Sequence, residues 1–186
     1  AAFWLTAGAL GGEGMECAPL DKASAQGDRA IVDVLSRMGA RVSQGKNSVT
    51  VAPAELNGME LDASDIPDLV PIISVAAGAA QGDTRITGVR RLRLKESDRI
   101  LSVRAMLSAL GVESDADDDL LVIHGRGGFT GGTVDSFNDH RIAMAAAVAG
   151  SVASGPVMIL GAQSSDKSYP GFFKRFAALG GRVEEV

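Results

Sequence analysis

The sequence predicts an α/β (α+β) fold built from three copies of one helix–strand–helix–strand–strand unit, with helices inside and sheets outside. Three observations predict it. Three segments share one ending: Val34-Leu35-Ser36-Arg37-Met38-Gly39-Ala40-Arg41-Val42, Met106-Leu107-Ser108-Ala109-Leu110-Gly111-Val112 and Phe176-Ala177-Ala178-Leu179-Gly180-Gly181-Arg182-Val183. Their capping glycines stand 72 and 69 residues apart, a spacing too regular for coincidence. A second, nearly all-apolar helix precedes each ending, at Ala1–Leu10, Leu69–Ala80 and Ile142–Gly150.

Each element has its own signal. The three shared endings read as amphipathic helices stopped by a glycine in the left-handed conformation, with a strand following at once. The three apolar helices have no polar stripe, so they are expected to be buried on all sides. Between the paired helices lie short strands, Met15–Ala18, Thr84–Val89 and Val157–Leu160. After its glycine the first unit continues as a hairpin, Ala40–Ser43 and Ser48–Ala52, around a Gln44-Gly45-Lys46-Asn47 turn. The second repeats this with Val112–Ser114 and Leu120–His124 around an acidic turn of Asp115 and Asp117–Asp119. The third stops at Val186 without its last strand, which a segment outside the sequence is expected to supply. The units are placed at about residues 1–62, 63–130 and 131–186 of a single domain. The competing reading is an ordinary α/β sandwich whose repeats are accidental.

Composition removes several classes of function. Hydrophobic residues make up 46% of the chain but aromatics only 4%, so Ala and Gly supply much of the apolar content and the helices are slim. A net charge of −5 offers no basic field for nucleic acid. No apolar run is long enough to span a membrane. Cys17 stands alone, which excludes an internal disulfide and a cysteine-rich metal site, and it reads as a buried structural thiol suited to a reducing cytoplasm. Ala1-Ala2-Phe3-Trp4-Leu5 carries no initiator Met, basic leader or cap, so the chain reads as a piece of a longer protein.

The unusual charges gather at expected helix starts: Asp68 after Pro67, Lys95-Glu96-Ser97-Asp98-Arg99, Asp139-His140-Arg141 and Lys167-Ser168-Tyr169-Pro170. N-capping accounts for Asp68, for Ser97 or Asp98, for Asp139 and for Ser168. It does not account for Lys95, Arg99, Arg141 and Lys167, because a cation opposes the positive end of a helix dipole. Cations belong there when an anion binds the free N–H groups. Pseudo-symmetry would let these starts converge on one rim that binds an anion.

The motifs Leu94-Lys95-Glu96-Ser97-Asp98-Arg99-Ile100, Asn138-Asp139-His140-Arg141-Ile142-Ala143-Met144, Asp65-Ile66-Pro67-Asp68 and Lys167-Ser168-Tyr169-Pro170 resemble, in order and spacing, the signatures of the EPSP synthase (3-phosphoshikimate 1-carboxyvinyltransferase) family. The resemblance spans the whole chain but only the C-terminal domain of that enzyme. It implies an enolpyruvyl transferase-like inverted α/β barrel of three units. It also implies transfer of the enolpyruvyl group of phosphoenolpyruvate to the 5-hydroxyl of shikimate 3-phosphate, with release of phosphate, in the shikimate pathway of aromatic amino acid biosynthesis. No metal or organic cofactor is implied. The partners implied are the two substrates and an N-terminal domain of the same enzyme, in a cytoplasmic monomer.

By the same resemblance Asp68 accepts the hydroxyl proton, and Glu96 takes part in proton transfer at the methylene carbon. Lys95 contacts the shikimate phosphate or the reacting centre. Arg99, Arg141 and Lys167 hold phosphoenolpyruvate, and Lys167 is a further proton carrier. His140 is expected to brace its helix start, His124 to lie on the surface, and Gln26-Gly27-Asp28-Arg29 to form a cap. One departure is Arg91, where some members carry an asparagine that contacts the shikimate phosphate. The competing functions are the sister transferase acting on UDP-N-acetylglucosamine, the RNA 3′-terminal phosphate cyclases with a histidine nucleophile, and a non-catalytic module. The chain alone is expected to be inactive.

Overall fold

The computed structural model describes residues 1–21, 24 and 26–186. The three apolar stretches form the helices α1 (Ala2–Leu10), α3 (Val70–Ala79) and α5 (His140–Gly150), and these pack on one another at the centre of one continuous core. Every residue of α3 except Ala79 is buried, as a helix with no polar stripe requires. The slim side chains serve close approach. A Cβ on Gly8 would stand 2.6 Å from the Cβ of Met15 and 2.8 Å from the Val51 carbonyl oxygen, so only glycine lets α1 lie directly on its sheet.

The endings form α2 (Ile31–Arg37), α4 (Arg99–Ala109) and α6 (Phe172–Ala178). Gly39, Gly111 and Gly180 follow them with φ of 107°, 82° and 99°, the left-handed backbone the repeat predicts. Tyr169 and Phe172–Phe173 carry α6 onto the first helix, where Trp4 stacks on Phe172 with ring centroids 4.9 Å apart.

Three sheets surround the central helices. The first has the order β1–β3–β2, from Met15–Cys17, Val49–Ala52 and Arg41–Gln44, all antiparallel. The second has the order β4–β5–β7–β6, from Glu60–Asp62, Gln81–Thr87, Leu120–Arg126 and Glu113–Ala116. The third pairs β8 (Gly132–Asp135) with β9 (Val157–Leu160) in parallel. Helices lie inside and sheets outside, as the periodicity demands.

Two strands are additions to the sequence reading. β4 and β8 precede their apolar helices and pair in parallel with β5 and β9. Counted with β4, which lies before the boundary expected at residue 62, the second unit reads strand–helix–strand–helix–strand–strand. Cys17 is partly buried on β1, and burial pushes its thiol pKa up, which suits packing rather than nucleophilic attack. Among the described residues no helix is long and apolar enough to cross a membrane.

Candidate active site

Asp68 sits in a 3-10 turn, Pro67–Leu69, that runs straight into α3. It is not the cap expected of it, for its side chain bonds no backbone N–H there. Its carboxylate turns instead to three cations. Arg99 Nη1 donates to Oδ1 at 2.7 Å, Lys95 Nζ lies 3.1 Å from the same oxygen, and Arg141 Nη2 lies 3.6 Å from Oδ2. Burial pushes the Asp68 pKa up, but the Lys95 hydrogen bond, the Arg141 charge and the Arg99 hydrogen bond outweigh it and leave it below the usual carboxylate value.

Asp98, not Ser97, caps α4, accepting from the N–H groups of Ile100 and Leu101 at 3.1 Å each. That fixes the helix start so that Arg99 points inward, with its side chain only 2% exposed. Its Nε donates to Asp139 Oδ2 at 2.8 Å and its Nη2 to Oδ1 at 3.4 Å. Asp139 is fully buried and also accepts from Ser97 Oγ at 3.1 Å and from the Arg141 N–H at 2.9 Å, which makes it the cap of α5. Burial alone would raise the Asp139 pKa and lower that of Arg99. The pair reverses both, so each group is held in its charged form. Arg99 thus departs from its expected place as an open rim cation: its fork already grips two carboxylates.

Arg141, the second residue of α5, is mostly buried and donates from Nη1 to the Asp68 carbonyl oxygen at 2.9 Å. Asp28 lies 3.7 Å from the same nitrogen, so the segment read only as a cap brings a third unit to the cluster. His140 is buried and its Nδ1 meets Glu96 Oε2 at 2.9 Å, which ties the α5 start to the segment before α4. Lys167 ends a 3-10 helix, Ala162–Lys167, and its Nζ donates to the Asn138 carbonyl oxygen beside the α5 start. Lys167-Ser168-Tyr169-Pro170 precedes the last helix as expected, but Ser168 is not its cap. α6 begins beyond Pro170, after Gly171 with φ of 76°, because the residue before a proline is kept out of the helical region.

Lys95, Glu96, Arg99, Asp68 and Arg141 therefore meet at one place, with Lys167 alongside. Asp28, Ser97, Asn138 and Asp139 belong with them and were not singled out as site residues. The signal for Asp28 is that Gln26-Gly27-Asp28-Arg29 opens the amphipathic helix of the first unit as Glu96-Ser97-Asp98-Arg99 opens that of the second. His124 stands apart on β7, its ring clamped by Asp83 at 2.9 Å and Asp115 at 3.0 Å. Glu96, Asp139 and His140 offer ligand atoms within 4.8 Å of one another, yet a metal ion there would have to share Asp139 with the Arg99 guanidinium. The cluster suits gripping of anions and movement of protons between carboxylates and substrate.

With that geometry in view, the family model described as EPSP synthase (3-phosphoshikimate 1-carboxyvinyltransferase) matches residues 1–176. The chain belongs to the EPSP synthase family. It is 44% identical over 184 residues to the 3-phosphoshikimate 1-carboxyvinyltransferase of Clostridium kluyveri, covering 99% of this chain and 43% of that protein. The Natronomonas pharaonis protein of the same name is 45% identical, with 98% and 42% covered. Among solved structures, EPSP synthase from Acinetobacter baumannii superposes with a TM-score of 0.81 at 27% identity, over 98% of this chain and 45% of that one. The enolpyruvyl transferase NikO from Streptomyces tendae shares the fold, with a TM-score of 0.78 at 22% identity over 98% and 42% of the two chains. The chain spans less than half the length of the curated relatives it matches.

Proposed function

We propose that this chain is the C-terminal domain of a two-domain EPSP synthase and supplies one face of its active site. The reaction is transfer of the enolpyruvyl group of phosphoenolpyruvate to the 5-hydroxyl of shikimate 3-phosphate. The hydroxyl oxygen bonds to the central carbon of the vinyl group while a proton adds to the methylene carbon. Loss of phosphate from the central carbon and of a proton from the methyl group then restores the double bond. The single observation that carries this reading is the meeting of Lys95, Arg99 and Arg141 at Asp68.

In this reading Asp68 takes the hydroxyl proton and Glu96, partnered by His140, exchanges the proton at the methylene carbon. Lys95, Arg141 and Lys167 grip the substrate oxyanions, and Lys167 carries a proton to the leaving phosphate. Arg99 holds Asp68 in place rather than meeting substrate, since each of its three nitrogens already donates to a carboxylate and its side chain is only 2% exposed. The opposite face and further cations come from the N-terminal domain, within a cytoplasmic monomer.

The test is phosphate release from phosphoenolpyruvate and shikimate 3-phosphate. The chain alone is expected to give none. Mixing it with a separately produced N-terminal domain of the Clostridium kluyveri relative is expected to restore turnover, lost again on Asp68→Ala or Lys167→Ala. Turnover by the chain alone, or by a complex carrying Asp68→Ala, overturns the reading.

A further inference from the structure

Arg99 is fixed: nearly buried, it is tied through Nε and Nη2 to the fully buried Asp139 and through Nη1 to Asp68. Lys95 and Arg141 differ from it. The Lys95 side chain is 31% exposed and meets Asp68 at 3.1 Å, and Arg141 Nη2 stands at the longer distance of 3.6 Å. Arg141 Nη1 is anchored on the Asp68 backbone carbonyl at 2.9 Å, so Nη2 is the nitrogen that can change partner without displacing the guanidinium. The Asp68 side chain is itself 41% exposed, so an incoming anion reaches the same donors.

From this we infer that Asp68 is a resident counter-anion, competing with the substrate's oxyanion for Lys95 and Arg141, so that binding an anion and freeing the Asp68 carboxylate are one coupled event. The inference rests on the anion-gripping roles proposed above. The ligand class is a small dianion, a phosphate or phosphate ester. The physical consequence follows from charge alone. While Lys95 and Arg141 face it, Asp68 is a weak base. Once they turn to an anion, its countercharge falls to Arg99 and a new negative group stands nearby, both of which favour proton uptake. The base is thereby switched on by arrival of the anion, which imposes an order on the site: anion first, proton transfer second.

The competition has a measurable signature in the chain as it stands. Inorganic phosphate is titrated at fixed pH and ionic strength into the unaltered chain, Asp68→Asn and Asp68→Ala, followed by amide NMR shifts at Lys95, Arg99, Arg141 and Lys167. Removing the competitor is expected to tighten phosphate binding about tenfold, the effect of releasing two part-exposed ion pairs. Asp68→Asn preserves side-chain shape, and dispersion of the core amide signals shows whether each variant is folded. In the unaltered chain, carbon-13 labelling of aspartate reads the Asp68 carboxyl titration directly, and its midpoint is expected to rise in saturating phosphate.

Phosphate binding that is unchanged or weaker in folded variants overturns the inference while leaving the anion site standing. An Asp68 midpoint that phosphate leaves unmoved does the same, even if neither variant folds. Absence of phosphate binding in the unaltered chain and both variants removes the anion site, and the proposed function's cation roles with it.

Discussion

Asp139 offers the sharpest quantitative test of how the site is held. It is fully buried and accepts four hydrogen bonds, two of them from Arg99. Asp139→Ala leaves Arg99 buried with one carboxylate fewer, and removing one partner of a buried ion pair costs about 3–5 kcal/mol. Asp68 still holds Nη1 at 2.7 Å, which places the loss at the lower end of that range. Losing the cap of α5 adds about 1 kcal/mol. Roughly 4 kcal/mol in total is expected, against the roughly 5–15 kcal/mol that keeps a domain folded.

The assay is urea unfolding at pH 7, read by circular dichroism and by the fluorescence of Trp4, the sole tryptophan. Asp139→Asn retains the side-chain oxygen for the cap and isolates the charge. Combined with Arg99→Met it is expected to cost less than the two single changes together, by about 2 kcal/mol, because the double variant buries no unpaired charge. The pH dependence has a fixed sign. The Asp139 pKa is lowered in the folded chain, so its contribution is complete above the unfolded value of about 4 and disappears as pH falls through the lowered value. The variants should therefore lose less stability on acidification. Additivity of the two changes within about 0.5 kcal/mol, or a loss under about 1 kcal/mol for Asp139→Ala, refutes the reasoning.

Other predictions rest on separate parts of the fold. The His124 pKa is raised by Asp115 first and Asp83 second, so the clamp stabilises fully below about pH 6.5 and fades as pH rises through the raised value. The melting-temperature gap between the chain and His124→Gln should accordingly narrow on the alkaline side, and a gap independent of pH would contradict it. Gly111→Ala should cost about 1–2 kcal/mol in urea unfolding, since φ is 82° and the new Cβ would meet Thr130 Oγ1 at 2.9 Å. An unchanged midpoint would refute the left-handed cap. Phe172→Ala, at a fully buried ring stacked on Trp4, should cost about 3–5 kcal/mol and shift the Trp4 emission to the red. Emission unaltered in the folded variant would show that the last helix does not dock on the first.

What was legible in the sequence was whatever repeats or lacks a polar face. The glycines at 39, 111 and 180 announced their caps because left-handed backbone selects glycine, and the three apolar helices announced their burial by composition. β4 and β8 were not legible. Each buries one residue, Leu61 and Val134, so neither is long enough to repeat the alternation by which a strand is recognised, and both exist because a neighbouring strand pairs with them. The site divided along the same line. Charges at helix starts marked its members, while which acid meets which cation is a long-range matter that spacing does not encode. Asp28 approaches Arg141 and Asp139 reaches Arg99 only once the units pack.

That packing also sorts the roles of the charges. Asp28 of the first unit faces Arg141 of the third, Asp139 of the third faces Arg99 of the second, and Asp68 of the second faces Arg141. The acids of one unit thus hold cations of another, and the cluster is a seam of the fold as well as a place for chemistry. Burial separates the two functions. Arg99 and Asp139 have no surface left to offer a substrate, and a charge buried so deeply is costly unless its partner is permanent. Lys95, Glu96 and Lys167 retain exposed side chains, so changing them should disturb binding or turnover with little loss of stability. Asp68 lies between the groups, tied to the seam through Arg99 and open to solvent on its other side. A carboxylate so placed can exchange partners without unfolding the structure around it, which is what the proposed base must do.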